Sequence, residues 1–164
     1  LKALHRLENE MLVQSIPRRG MFVKELQIDE VTDIFQCRAV LEGLSARLAA
    51  DNLNSAQIEE LRSLFLPFTQ QNPIDFDTYA KVDRKFHDRL MHWSGNRVID
   101  RLEMLSNIHL QAFQVGLLRP PEVTLSEHFE IIDALEARDG KLAEQRMRDH
   151  IDRSREAIEL KHAK

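Results

Sequence analysis

From residue 26 onward the chain offers few places for a helix to stop, while its apolar residues keep returning at helical spacing. Glycine and proline number only five each in 164 residues. Both are the strongest breakers of regular structure, so long helices joined by short connections are the expectation. The apolar sets are Val31, Ile34, Val40, Leu41, Leu44, Leu48 and Ala49 after Asp29, then Ile58, Leu61, Leu64 and Phe65 after Asn54. Phe76, Tyr79, Val82, Phe86, Leu90 and Met91 follow Pro73, and Val98, Leu102, Leu105, His109 and Phe113 follow Gly95-Asn96. Pro120-Pro121 ends that run, Leu125, Ile131, Ile132 and Leu135 form a fifth, and Leu142, Ala143, Met147 and Ile151 a sixth after Asp139-Gly140. Asn54 with Gln57 three residues on has the pattern of a capping box. The predicted fold is all-α, an antiparallel bundle of about six helices over residues 26–164.

Residues 1–25 read differently. Leu1, Leu4, Leu7 and Met11 or Leu12 run at helical spacing from the first residue, so the chain is expected to begin inside a helix. Met11 to Ser15 and Met21-Phe22-Val23 can pair as a hairpin around Ile16-Pro17-Arg18-Arg19-Gly20, with Gly20 free to take a positive φ. A hairpin and a short helix cannot hold themselves together, so this piece is expected to need further partners. It carries a net charge of +2, from Lys2, Arg6, Arg18, Arg19 and Lys24 against Glu8, Glu10 and Glu25, whereas the whole chain carries −4. That balance argues against a chain that clamps nucleic acid along its whole length. The single Cys37 excludes an intrachain disulfide and a cysteine-rich zinc module. No apolar run approaches the roughly 18 residues of a membrane span.

Four ligand-type side chains stand out by position. Asp83 and His87 are four apart and rise from one helix face; His128 lies on the side of Leu125, Ile131 and Ile132; His150 continues the inward stripe of Ala143 and Met147. Desolvated polar groups without partners cost on the order of a few kcal/mol each. One divalent cation would satisfy all four, and three nitrogens with one oxygen suit Zn²⁺, Ni²⁺, Co²⁺ or Mn²⁺. The alternative is three ordinary histidines bonded to backbone or water, with Asp83 paired to an arginine. A metal held this way should be lost as pH falls through the histidine range, about 6.5.

The string Asp83-x-x-Phe86-His87, Ser94-Gly95-Asn96, Glu127-His128 and Ala143-x-x-x-Met147-x-x-His150 resembles the FCD effector domain of FadR-type GntR-family regulators. Arg38-x-x-Leu41-Glu42 and Ala46-Arg47-Leu48-Ala49-Ala50 belong to the same resemblance, which covers roughly residues 29–160. Residues 1–25 resemble the end of a winged-helix domain, with Ala3-Leu4-x-x-Leu7 from its recognition helix and Pro17-x-Arg19-Gly20-x-Phe22-Val23 as its wing. The resemblance implies a dimeric, cytoplasmic transcription regulator in which Asp83, His87, His128 and His150 hold the metal. It also places Arg38 toward the carboxylate of a small organic-acid effector, the other reading of Arg38 being a pair with Glu42. Arg18, Arg19 and Gly20 would meet operator DNA, unless the arginines are simply a solvated hairpin tip. Two other functions fit less of the chain. A helical dimerisation domain would satisfy its polar cluster without metal. A metal-dependent hydrolase would need a general base, and Glu127, about 100° around its helix from His128, is not placed as one.

Overall fold

The computed structural model describes residues 2–9, 12–106 and 116–162. After a short helix α1 (Lys2–Asn9), strands β1 (Val13–Ile16) and β2 (Gly20–Val23) pair antiparallel, with Val13 opposite Val23 and Ile16 opposite Gly20. The turn between them closes with the Arg19 N–H donating to the Ile16 carbonyl at 3.0 Å. Gly20 has φ +97°, and Arg18, at φ 64°, also occupies the left-handed region that side chains other than glycine rarely adopt.

Six helices follow among the described residues: α2 (Ile28–Asn52), α3 (Ser55–Phe65), α4 (Phe76–Trp93), α5 (Arg97–Ser106), α6 (Pro121–Glu136) and α7 (Gly140–His162), with a 3₁₀ turn at Leu66–Gln70. Their ends are chemically marked. Asn54 Oδ1 accepts from the Gln57 N–H and Gln57 Oε1 accepts from the Asn54 N–H, both at 2.9 Å, the reciprocal cap expected from the sequence. Asp75 accepts from the Thr78 N–H at 2.9 Å, and Asn96 from those of Val98 and Ile99 at 3.0 and 3.3 Å. Pro121 occupies the first turn of α6, where its missing N–H costs nothing. Of the expected fourth run, His109 and Phe113 lie outside the described residues.

The core is one cluster, with Leu61, Phe65, Tyr79, Phe86, Ile131, Ile132, Leu135, Ala143 and Met147 fully buried. Helix α2 packs most extensively along α7. At Gly43 that approach leaves no room for a side chain: a Cβ there would lie 2.7 Å from Cγ of Arg148.

Some of the apolar positions expected inside are not. Val40, Val98, Leu102 and Leu142 are exposed, whereas Arg38, Glu42 and Ser45 are buried. At its middle, α2 therefore turns a polar stripe inward and an apolar residue outward. That inversion, costly for a helix that only packs, occurs beside the site described next.

Candidate metal centre

Helix α4 carries Asp83 and His87 one turn apart, α6 carries His128 and α7 carries His150. One ligand atom from each of the four lies within 4.8 Å of the others. The three histidines are buried, and Asp83 retains 20% side-chain exposure. The His128 ring is held between its neighbours: it stacks on Phe65 at 4.3 Å between centroids and meets Phe86 edge-on at 5.0 Å.

Each imidazole is oriented by a bond at Nδ1. His87 Nδ1 donates to Glu42 Oε2 in a short contact, and His150 Nδ1 donates to Glu127 Oε2 at 2.8 Å. His128 Nδ1 lies 3.0 Å from Tyr79 Oη, which lies 2.9 Å from Thr124 Oγ1. Thr124 Oγ1 in turn donates to the Pro121 carbonyl at 3.4 Å, which can only accept. The chain of bonds then has one direction: Thr124 accepts from Tyr79, and Tyr79 accepts from His128. All three rings thus carry their proton on Nδ1 and keep the Nε2 lone pair for the interior, as imidazoles that bind a metal through Nε2 do.

His128 Nε2 is the telling atom. It is fully buried and has no hydrogen-bond partner among the described residues, although Asp83 Oδ1 is only 3.2 Å away. With the His128 proton assigned to Nδ1 by the Tyr79 relay, its Nε2 and Asp83 Oδ1 are two acceptors that can face a shared third body. The donor set, three neutral nitrogens and one carboxylate oxygen, fits a divalent transition metal.

The electrostatics of Asp83, His128 and His150 suit metal binding. Burial depresses His150 to about 3, helped by the neighbouring His128, and burial likewise lowers His128. Burial alone would raise Asp83, but the close approach of His128 and the nearby His87 and His150 outweigh it and hold the carboxylate well below its usual range. The proton competition expected at about 6.5 is therefore displaced to lower pH for His128 and His150, because desolvation penalises the imidazolium.

Beside the four ligands opens a cavity lined by Phe35, Arg38, Leu118, Arg119, Thr124 and Ser154 together with Asp83, His87 and His150. Arg38 donates from Nε to Glu42 Oε1 at 2.6 Å, so the pairing anticipated for it exists, yet its side chain still borders the cavity. Among the described residues Asp83 has no arginine partner; its ion-pair neighbours there are His87 and His128.

Several residues of this site escaped the sequence reading. Glu127 does not point idly away from His128: it is buried and accepts from His150, Arg119 and Arg153. Tyr79, Thr124 and Arg119 were likewise unassigned, and Glu42 was read only as a partner for Arg38. The bonds that tie them to the histidine ligands and to one another across the site span 31 to 49 residues, so no periodicity reveals them. The available signal was the Arg38, Glu42 and Ser45 spacing, which puts three polar residues on one face of α2.

The helical bundle and its three-histidine, one-carboxylate cluster beside a cavity define an all-helical domain with a candidate metal centre. Residues 33–153 match the model of the FCD domain, and the chain belongs to that family. It is similar to the HTH-type transcriptional repressor RspR of Escherichia coli K12, with 25% identity covering 96% of this chain and 71% of that protein. The Nta operon transcriptional regulator of Aminobacter aminovorans is 30% identical over 58% of this chain and 45% of its own length. In fold it resembles McbR/YncC of E. coli, with a TM-score of 0.81 and 20% identity over 98% of this chain and 83% of that one. Streptococcus agalactiae GntR follows, at 0.67 and 22% over 94% and 79%. The resemblance to GntR-family regulators found in the sequence is thus borne out. No helix among the described residues is long and apolar enough to cross a membrane.

Proposed function

We propose that this chain is the sensing part of a cytoplasmic, DNA-binding transcriptional regulator. Its helical domain, residues 26–164, holds a divalent transition metal through Asp83, His87, His128 and His150. A small organic acid binds in the adjoining cavity, with Arg38 facing its carboxylate. The observation that carries this reading is the buried, unpartnered Nε2 of His128 at 3.2 Å from Asp83, with the proton fixed on the other ring nitrogen. When bound, the metal would supply a Lewis-acidic centre for the acid's oxygen. The chain's own residues do the rest: they exclude water around the ligands, fix the tautomers and present a guanidinium.

In this reading residues 1–25 end a winged-helix domain, and Arg18, Arg19 and Gly20 form the wing tip that meets operator phosphates or the minor groove. The regulators it resembles support that assignment, and a homodimer suits an operator read by two such domains. Effector binding that favours one dimer geometry shifts operator affinity by linkage.

Elemental analysis of tag-free wild type and of the His128→Ala/His150→Ala variant tests the proposal. About one metal per chain in wild type and none in the variant is expected. No metal in either after incubation with Zn²⁺, Ni²⁺, Co²⁺ and Mn²⁺ would favour a purely structural dimerisation domain. A hydrolase is disfavoured by the carboxylates present: Glu42 and Glu127 are each committed to a histidine Nδ1 and an arginine.

A further inference from the structure

One buried carboxylate serves both halves of the site. Glu42 is 1% exposed, and its two oxygens have different clients: Oε1 accepts from Arg38 Nε at 2.6 Å, and Oε2 accepts from His87 Nδ1. Arg38 lies over the Phe35 ring, 4.9 Å from its centroid, and borders the cavity. Its terminal nitrogens, Nη1 and Nη2, make no hydrogen bond among the described residues, so only Nε is committed. Arg119, the other guanidinium on the cavity, is spent on Glu127, Ser154 and the His150 carbonyl.

We infer that Glu42 is a positioning residue that couples Arg38 to His87, so that an anion on Arg38 tightens the grip of His87 on a metal. This deepens the function proposed above and rests on it. The physical argument is charge division. A carboxylate taken out of water distributes its accepting power between the donors it has. Arg38 draws that power toward Oε1. An anion on Nη1 and Nη2 offsets the guanidinium charge, and Glu42 becomes a stronger acceptor for the His87 N–H. A ring that donates more strongly at Nδ1 is a more basic ligand at Nε2. By reciprocity, a metal on His87 raises the affinity of the anion for Arg38.

The test is a double-mutant cycle on metal affinity, using the full chain, Ni²⁺ alone and competition with a chromophoric chelator. Glu42→Gln is expected to weaken Ni²⁺ by about 10- to 100-fold. Arg38→Met, which removes the competing charge, is expected to tighten it by roughly 5-fold. In the Glu42→Gln background the Arg38→Met effect should vanish. Weakening by Arg38→Met, or an effect that persists without the Glu42 carboxylate, overturns the coupling. Ring ¹⁵N shifts of the metal-free chain provide a readout that a merely structural role would not move. His87 should be protonated at Nδ1 in wild type and a tautomer mixture in Glu42→Gln; an Nε2-protonated ring in wild type overturns the assignment even where the variant fails to fold. Wild type that takes up no Ni²⁺ overturns the metal reading itself, a different result from a metal that binds without coupling.

Discussion

Arg119 and Glu127 meet through two charge-assisted bonds, Nη1 to Oε1 at 2.8 Å and Nη2 to Oε2 at 2.6 Å, with both side chains 10% exposed. The same guanidinium donates to Ser154 Oγ at 3.0 Å and to the His150 carbonyl at 2.9 Å, tying the residues before α6 to α7. Burial would raise Glu127, but its bonds from Arg119, His150 and Arg153 hold it far below the usual carboxylate range. Arg119→Lys keeps the charge and loses the planar fork. It should cost about 3 kcal/mol of stability in urea unfolding and weaken metal by about 10-fold through His150. An unchanged urea midpoint would show that the fork is dispensable.

Tyr79→Phe deletes the middle of the Thr124–Tyr79–His128 relay and leaves the buried His128 Nδ1–H unpaired, while Thr124 keeps its bond to the Pro121 carbonyl. Loss of about 1–3 kcal/mol is expected. His128, freed to change tautomer, should bind metal about 10-fold more weakly. Chelator competition checks this, and a Tyr79→Phe chain that binds metal like wild type would remove the relay from the site.

The depressed histidines set the pH response of the metal-free chain. A lowered folded-state value means that the unfolded chain binds more protons below about 6.5, so stability is full above that pH and is lost as pH falls toward the folded value. For His150 the window runs down to about 3, and His128 shifts in the same direction. Thermal melts of chelator-treated protein should show Tm falling from about pH 6.5 downward, and less steeply in His150→Asn. A Tm that is flat between pH 7 and pH 5, where roughly full protonation of unfolded histidine is reached, would mean that these rings are not buried neutral.

Asn54→Ala provides a contrast far from the centre. Removing the cap at Gln57 should cost about 1 kcal/mol and leave metal affinity unchanged. A change in metal affinity would show that α3 is coupled to the site by a route its contacts do not reveal.

How much of this was legible in the sequence depends on the range of the interaction. The Asn54–Gln57 cap, the Pro121 start and the one-turn spacing of Asp83 and His87 are local, and a local pattern suffices to find them. His150 was legible because Ala143 and Met147 mark its face. Val40 misled because one exposed branched residue looks like core until the buried polar stripe of Arg38, Glu42 and Ser45 is seen. Tyr79 read as core, and it is buried; that its hydroxyl points at His128, 49 residues away, depends on how α4 and α6 cross.

Helix α2 has one more consequence. It is 25 residues long, begins at Ile28 and carries Glu42 near its middle. Its first turn clasps the strand connection, since Glu30 pairs with Lys24 and accepts from the Gln27 N–H at 3.0 Å. With a rise of 1.5 Å per residue, Glu42 stands about 18 Å from Glu30 in that clasp. A tilt of only about 5° at the buried carboxylate would move the clasp by about 2 Å, so a sub-ångström adjustment among the ligands reaches the hairpin magnified, as at the long end of a lever.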